Sequence, residues 1–254
     1  MPALSLIVIT KNEERCIERC LRSVGFADDI VVVDSGSTDR TVELAESCGA
    51  RVLQTTDWPG FGPQKNRALE LARGDWVLAL DADEWLGVDT ANQIKAAITA
   101  PAYEAYKLPR RSRFCERVVR HCGWSPDYVV RLFRRGSGRF TDDLVHERLD
   151  VRGSIGTLGT PIDHDAIESW ADAEDKIERY AQAGAEQMAA RGRRGSAAQT
   201  LLHSWGAFLK TFVIRAGFLD GVTGWHVAQY NRRYTQAKWR LLAEQSRAKK
   251  PLNR

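Results

Sequence analysis

Residues 77–85 read VLALDADEW, a stretch in which apolar residues run directly into the carboxylates Asp81, Asp83 and Glu84. A short, continuously apolar run is typical of a strand that is covered on both faces of a sheet. Carboxylates this close together repel one another, and an unpaired carboxylate loses much free energy when it leaves water. We therefore expect a positive charge next to the end of this strand.

Three earlier apolar runs share this character, and helical patterns separate the four runs. The runs cover residues 4–9, 30–33, 51–53 and 76–80, and the helical patterns cover 14–24, 41–48 and 64–73. The last pattern follows Pro63 and stops at Gly74, an arrangement typical of helix ends. This alternation predicts an α/β fold with a doubly wound, mostly parallel sheet.

Polar clusters follow three of these strands, at residues 10–13 (TKNE), 34–39 (DSGSTD) and 81–83 (DAD). Each cluster alone is also typical of a turn or a helix cap. The carboxyl ends of parallel strands lie at one edge of the sheet, where such folds bind ligands, so three clusters there favour a site. Two aspartates one residue apart suit Mg²⁺ or Mn²⁺ shared with substrate phosphates. The chain has neither GxGxxG nor a P-loop motif, so metal and side chains are expected to hold the phosphates.

The second half of the chain changes in pattern and in charge. Shorter strands are predicted at 103–108, 117–121, 128–134 and 146–151, and helices at 169–191, 200–219 and 225–242, with a turn at 220–224. The net charge is +4, yet residues 191–254 hold 13 Lys/Arg and 2 Asp/Glu. A basic end of this kind predicts an anionic partner. The five scattered cysteines and the lack of a signal-peptide pattern predict a cytoplasmic protein with reduced thiols.

The segment 197–219 is rich in apolar residues, but Lys210 and Arg215 interrupt it, so no membrane-spanning run is available. Its basic residues together with Trp205, Phe208 and Phe212 suit a helix that lies in a membrane interface. A helix packed on its own domain and a dimer contact are the alternatives. The chain has no recognised nucleic-acid motif, so nucleic acid is not expected as a partner.

Several segments as a set resemble the inverting glycosyltransferases of family 2, which have the GT-A fold. They are SLIVITKNEE (5–14), VVVDSGSTDRT (31–41), QKNRAL (64–69), GDWVLALDADE (74–84), RLFRR (131–135), VHERL (145–149), KIERYAQ (176–182) and VIRAGFLDGVTGW (213–225). The nearest likeness is to WaaE-type β-1,4-glucosyltransferases of the lipopolysaccharide inner core. This implies a GT-A domain over 1–190, with a nucleotide-sugar half (1–100) and an acceptor half (101–190), followed by a basic, aromatic helical extension (191–254).

The resemblance also implies roles for individual residues. The nucleotide pocket would be lined by Thr10, Asn12, Glu13, Asp34 and Ser37. Asp81 and Asp83 would form the DxD motif, with Asp83 the firmer ligand of the Mg²⁺ or Mn²⁺ ion. His164 resembles the histidine that completes the metal site in some relatives, and Arg131 resembles an arginine found near the diphosphate. Lys65 is placed to reach the diphosphate, although a solvated helix face is an equal interpretation.

An inverting transfer needs a base for the acceptor hydroxyl, and Glu147 is the candidate, because the family keeps its catalytic carboxylate in this region. The sequence has His146-Glu147 where many relatives have Glu-Asp, so Asp142 and Asp143 are rivals. A surface ion pair between Glu147 and Arg148 or Arg131 is the other interpretation.

The resemblance implies a metal-dependent hexosyltransferase that moves a hexose, with glucose as the expected sugar, from a UDP-hexose to a lipopolysaccharide-core or similar membrane glycolipid. Its expected location is the cytoplasm, peripheral on the inner face of the cytoplasmic membrane through residues 197–250. One alternative is a sugar nucleotidyltransferase, whose early glycine-rich segment the sequence TKNEERC lacks. The other is a non-catalytic module that binds glycolipid.

Overall fold

Strands and helices alternate through the first hundred residues of the computed structural model, which describes residues 2–142 and 147–248. The strands are β1 (Leu4–Thr10), β2 (Asp29–Asp34), β3 (Arg51–Gln54), β4 (Trp76–Asp81), β5 (Glu84–Leu86), β6 (Ala105–Phe114), β7 (Arg117–Val118), β8 (Tyr128–Arg134), β9 (Gly138–Phe140), β10 (Leu149–Val151), β11 (Ile155–Thr157) and β12 (Ile162–Ile167). The helices are α1 (Ile17–Ser23), α2 (Thr41–Ser47), α3 (Phe61–Leu71), α4 (Val88–Thr99), α5 (Trp170–Ala190), α6 (Ala197–Leu209) and α7 (Gly221–Ala248). A π-helical turn (Lys210–Ile214) and a 3₁₀ turn (Gly217–Asp220) lie between α6 and α7.

The main sheet has the strand order β3-β2-β1-β4-β8-β6-β12-β5. The first four strands are parallel, and β8 joins β4 in the antiparallel direction. Every residue of β1 is buried, because separate apolar clusters cover its two faces, one holding Leu6 and Leu78 and the other Ile7 and Val77. The predicted α/β class, with a mostly parallel sheet and a helical C-terminal region, is confirmed.

Two compact units make up the chain, and each contains two segments of sequence. The first comprises Met1–Arg111 and Asp127–His164, and the second comprises Ser112–Pro126 and Asp165–Arg254. Within the second unit α5 packs against α7, and Ala185 shares a buried cluster with Trp239 and Leu242. The domain boundary predicted at residue 190 stays a prediction, and this position lies inside the second unit.

The strands predicted for residues 4–80 are confirmed to within a few residues, but two later predictions are wrong. The helix expected over 200–219 is α-helical to Leu209 and continues as the π-helical turn to Ile214, and the chain turns at Ala216, whose φ of +51° is left-handed. The turn expected at 220–224 is the first turn of α7, because Gly221 begins that helix. Gly224 lets the helix start against the preceding turn, since a Cβ there would lie 1.7 Å from the Gly217 oxygen.

Candidate active site

The predicted polar clusters meet at one edge of the sheet in the first unit. Thr10 at the end of β1 is in register with Asp34 at the end of β2, and Ile9 is in register with Asp81 at the end of β4. Parallel pairing brings these strand ends side by side, as the sequence predicts. The hydroxyl of Thr10 is buried and has no hydrogen-bond partner among the described residues, so it is an unsatisfied polar group at this edge.

Asp34 and Ser37 build the turn that follows β2. The Asp34 carboxylate is fully buried and accepts hydrogen bonds from the backbone N–H groups of Gly36 (3.0 Å) and Ser37 (2.9 Å), and from the Ser37 hydroxyl. The Ser37 Oγ in turn accepts the N–H of Asn12 at 2.8 Å. Asn12 has a left-handed φ of +57°, and its Oδ1 accepts the Thr38 N–H at 2.8 Å. This network joins the ends of β1 and β2 and fixes the backbone at the predicted nucleotide pocket.

Glu13 lies in the same network, one residue further along the chain. Its backbone N–H donates to the Thr41 hydroxyl at 2.7 Å, and its carboxylate Oε2 accepts from the Cys16 thiol at 3.1 Å. The Thr41 N–H donates to Asp39 Oδ1 at 3.0 Å, so the start of α2 is tied to the same loop. These contacts place Glu13 at the edge of the sheet where the sequence predicts it.

Protein cations supply much of the positive charge expected beside residues 81–84. Lys65 Nζ lies 2.8 Å from Asp81 Oδ1, and Arg131 pairs with Asp81 Oδ2. Arg131 also lies 2.6 Å from Glu84 Oε1, and Arg110 approaches the same oxygen at 3.4 Å. Glu84 is fully buried and its Oε2 accepts the Asp81 N–H at 3.1 Å. Asp81 and Glu84 are therefore both neutralised within the protein.

The balance of charge in this cluster shifts the pKa values of Asp81 and Arg131. Burial by itself would raise the pKa of Asp81, but the charges of Arg131 and Lys65 outweigh burial and hold that pKa well below its ordinary value. Burial opposes the charged form of Arg131 in the same way. The carboxylates of Asp81 and Glu84 outweigh it and raise the Arg131 pKa above its ordinary value. Asp81 and Arg131 consequently stay ionised at neutral pH.

Asp83 has a different environment from Asp81. Its Oδ2 lies 3.5 Å from Nε2 of His164, which stands on β12 opposite Glu84 of β5. The structure thus brings Asp83 and His164 together as the resemblance implies. In residues 2–142 and 147–248 no three His, Cys, Asp or Glu side chains converge as a complete metal cage. One carboxylate and one imidazole still suit a Mg²⁺ or Mn²⁺ ion whose remaining ligands are diphosphate oxygens and water. On this donor set the residues fit the implied metal.

Glu147 lies beside the same cluster, because Lys65 contacts it as well as Asp81. Lys65 Nζ is 2.6 Å from Glu147 Oε1, and both side chains are largely buried. Glu147 therefore pairs with Lys65, and in the described part of the chain it forms no ion pair with Arg148 or Arg131, the predicted alternative. Of the rival bases, Asp142 is exposed and Asp143 lies outside the described residues.

The start of α3 positions this pair of residues. Gly62 permits a close approach of the segment that carries Glu147, because a Cβ at Gly62 would lie 1.7 Å from the Thr141 oxygen. The side chain of Asn66 donates to the Phe140 oxygen (2.9 Å) and accepts the Phe140 N–H (3.0 Å). Asn66 therefore fixes β9 against α3, one residue from Lys65.

Sequence reasoning assigned no role to two positioning residues, Gln64 and Asn66. Gln64 Nε2 donates to the hydroxyls of Ser35 (2.9 Å) and Thr55 (2.8 Å), so it ties α3 to the loops that follow β2 and β3. The available signal was the run Gln64-Lys65-Asn66, three consecutive polar residues in the first turns of a helix. Consecutive residues of a helix point in directions about 100° apart, so they face different neighbours. Three consecutive buried polar residues therefore indicate hydrogen bonds to three different parts of the fold.

Comparisons with known proteins find relatives of this chain among glycosyltransferases. The model of "Glycosyl transferase family 2" matches residues 5–149. An uncharacterized glycosyltransferase of Rickettsia bellii is 30% identical over 239 residues, which cover 87% of this chain and 79% of the relative. The lipopolysaccharide core biosynthesis glycosyltransferase LpsC of Rhizobium meliloti is 32% identical over 62% of this chain and 60% of its own length.

One solved structure is similar over a smaller part of the chain. It is the glucosyl-3-phosphoglycerate synthase of Mycobacterium tuberculosis, crystallised with Mn²⁺, UDP-glucose and phosphoglyceric acid. It is 26% identical, covers 44% of each chain and has a TM-score of 0.38. The family model covers more than half of the chain, and the Rickettsia relative covers most of it. The chain therefore belongs to glycosyltransferase family 2.

Proposed function

We propose that the protein is a metal-dependent, inverting hexosyltransferase that moves glucose from UDP-glucose to a lipopolysaccharide-core or similar glycolipid acceptor. The observation that carries the proposal is the double contact of Lys65 with Asp81 and Glu147, which joins the DxD strand end to the candidate base. Membership of family 2 supports glycosyl transfer. The likeness to LpsC supports an acceptor of the lipopolysaccharide-core class.

In the proposed mechanism Glu147 takes the proton of the acceptor hydroxyl while that oxygen attacks the anomeric carbon of the donor. A single displacement of this kind inverts the configuration at that carbon. Lys65 holds Glu147 Oε1 at 2.6 Å, which fixes the direction of the carboxylate and leaves Oε2 as the atom that receives the proton. General-base contributions of this type are worth about 10²–10⁴ in rate.

Asp83 and His164 would hold the divalent cation, which supplies positive charge to the departing diphosphate when it is bound. Arg131 and Lys65 lie at the same strand end, where their N–H groups would donate hydrogen bonds to the diphosphate. In this proposal Asp81 acts chiefly as their counter-ion and orients both side chains. Thr10, Asn12, Glu13, Asp34 and Ser37 would form the wall of the nucleotide pocket.

The proposed location is the cytoplasmic side of the inner membrane, with the protein bound peripherally through residues 197–250. No described helix is both long enough and apolar enough to cross a membrane. A glycolipid acceptor stays in the lipid layer, so an enzyme bound at the lipid surface meets its acceptor at a raised local concentration.

A thermal-shift screen of nucleotide sugars tests the donor and the metal together. We expect UDP-glucose with Mn²⁺ to raise the melting temperature, because a ligand at 100 times its dissociation constant stabilises the folded state by about 2.7 kcal/mol. GDP-mannose with Mn²⁺, and UDP-glucose with EDTA, are the controls. Equal stabilisation in the presence of EDTA would contradict the metal requirement.

Transfer itself is measured with radiolabelled UDP-glucose and isolated lipopolysaccharide core as the acceptor. Nuclear magnetic resonance of the product reports the anomeric configuration, and inversion is expected. Formation of UDP-glucose from UTP and glucose 1-phosphate would instead support a sugar nucleotidyltransferase.

A further inference from the structure

The second unit exposes a run of large apolar side chains between α6 and the turn before α7. We call this surface the apolar ridge, and its members are Leu201, Leu202, Trp205, Leu209, Val213, Ile214, Phe218 and Leu219. Ile214 is 77% exposed and Leu202 is 71% exposed. Monomeric proteins rarely expose large contiguous apolar surfaces, and those that exist usually contact a partner or a membrane.

An internal layer of aromatic side chains supports the ridge. The ring of Phe208 lies 5.1 Å from that of Trp225 and 5.6 Å from that of Phe212, and Phe208 is only 7% exposed. On α6 the ridge residues 201, 205 and 209 form an exposed stripe directly beside the buried stripe of Ser204 and Phe208. Trp205 rests on the internal layer, with its ring 5.8 Å from that of Phe208. The sequence suggested that Phe208 enters the membrane, and the structure shows that it packs inside the protein.

The charge of this surface has one sign. Residues 187–219 contain five basic residues and no Asp or Glu. Lys210 and Arg215 lie within the ridge segment and are exposed. The next acid along the chain, Asp220, accepts the N–H groups of Arg120 (3.1 Å) and His121 (2.8 Å) and pairs with the His121 ring.

We propose that the apolar ridge is the membrane-docking surface of the protein, and that its partner is a bilayer rich in anionic lipid. The inference deepens the peripheral location proposed above and rests on that part of the proposed function. Apolar side chains would enter the acyl boundary while Lys210, Arg215 and the arginines at 191, 193 and 194 meet anionic headgroups. An anionic bilayer offers acyl chains for the apolar side chains and negatively charged headgroups for the basic ones. It therefore complements both features of the ridge.

A second copy of the chain fits the surface less well. Two ridges packed face to face around a two-fold axis would bring Lys210 and Arg215 of both copies into one apolar interface. The segment 187–219 offers no acid to neutralise them. Burying like charges without a partner costs more than the apolar contact returns.

Vesicle co-sedimentation of the full chain, without donor or acceptor, tests this inference independently of catalysis. We expect binding to vesicles of phosphatidylglycerol and phosphatidylethanolamine, and much weaker binding to vesicles of phosphatidylcholine alone. Raising the salt concentration should weaken binding only in part, because salt screens the charges but leaves apolar burial unchanged. Leu202→Ser with Ile214→Ser should lower the partition coefficient by about tenfold or more for each residue.

Matched variants elsewhere in the chain serve as controls. Val88→Ser removes an aliphatic side chain that is also 77% exposed but lies on α4. Arg22→Gln, on α1, removes one exposed positive charge, as Lys210→Gln does in the ridge segment. The controls should bind vesicles as the wild type does, whereas Lys210→Gln should lose part of the salt-sensitive binding. All of these variants should keep the wild-type melting temperature, because each changed side chain is exposed.

Three results would overturn the inference. One is equal sedimentation with anionic and neutral vesicles, or none with either. Another is binding by Leu202→Ser/Ile214→Ser that equals binding by Val88→Ser. The third is light scattering that shows a dimer of the wild type and a monomer of the ridge variant, which would assign the surface to a second copy. Loss of vesicle binding with unchanged hydrolysis of UDP-glucose would separate this surface from the proposed catalytic site.

Discussion

At the scale of single residues, the two aspartates of the DxD motif have different surroundings, and we expect different tasks for them. Asp81 is held by Lys65 and Arg131, so its charge is used within the protein. Asp83 has His164 at 3.5 Å and is the aspartate better placed to hold a cation. The sequence predicts both residues but cannot separate them, because their difference depends on side chains 16 and 50 residues away from Asp81.

Substitution of each aspartate by asparagine should separate these tasks. Asp81→Asn should lower the free energy of unfolding by about 2 kcal/mol, because Lys65 and Arg131 each lose a charged hydrogen-bond partner. Asp83→Asn should leave the stability of the metal-free protein close to that of the wild type and abolish stabilisation by UDP with Mn²⁺. Urea titration with and without UDP and Mn²⁺ measures both effects. Identical behaviour of the two variants would contradict the distinction.

The lowered pKa of Asp81 predicts how its contribution depends on pH. A carboxylate whose pKa is lower in the folded state stabilises the fold above its unfolded pKa of about 3.9, and this stabilisation is lost as the pH falls below that value. The stability difference between wild type and Asp81→Asn should thus be constant from pH 7 to about 5 and should shrink below about pH 4. Urea titrations at pH 7, 5 and 3.5 check this, and a difference that stays constant to pH 3.5 would refute it.

Glu147→Gln keeps the shape of the side chain but cannot accept a proton at neutral pH. Transfer should fall by about 10²-fold or more while the affinity for UDP with Mn²⁺ changes little. Asp142→Asn and Asp143→Asn are the comparison variants, and both should stay near wild-type activity. Full activity of Glu147→Gln together with loss in Asp143→Asn would move the base to the rival position.

At the scale of secondary-structure elements, β1, β2 and β4 are predictable because largely buried strands leave a continuous apolar signal. The edge strand β3 has no buried residue, and only its short run Val52-Leu53 is apolar. The short β5 and the polar β12, which carry Glu84 and His164, were not predicted. Their sequences EWL and IDHDAI have no apolar run, and they form because distant strands offer them partners. Local sequence patterns therefore do not predict the strands that position Glu84 and His164, although both residues stand out in the sequence as polar candidates.

Replacing glycine by alanine should have opposite effects on stability at two positions of the C-terminal helices. Gly224→Ala should destabilise the protein, because the new methyl group would lie 1.7 Å from the Gly217 oxygen and the backbone would have to move. Gly206→Ala on α6 meets nothing within 4 Å and should stabilise by about 0.5–1 kcal/mol through helix propensity. Thermal unfolding followed by circular dichroism measures both, and a common sign would contradict the predicted packing of α7.

At the scale of the whole molecule, the sequence marks a change at residue 191, where the charge becomes strongly basic. The structure assigns α5, α6 and α7 to one unit regardless of this change, because packing depends on apolar faces and not on net charge. Ala181 and Ala185 on α5 are fully buried, and Gly184 allows Lys238 to approach within 2.7 Å of the position that a Cβ would take. Charge patterning predicts partners at the surface, whereas apolar periodicity predicts which helices fold together.

If α5 and α7 share one folding unit, a charge placed between them should destabilise the protein far more than the same charge on the outer face of α5. Ala185→Asp would bury a carboxylate beside Trp239 and Leu242, and the expected loss is about 3 kcal/mol or more. Ala183→Asp, two positions earlier on the exposed side, has the same helix propensity and should cost about 0.5–1 kcal/mol. Urea unfolding followed by tryptophan fluorescence measures the difference. Equal losses in the two variants would mean that α7 does not cover α5 in solution, and the segment after residue 190 would then behave as the separate extension that its charge suggests.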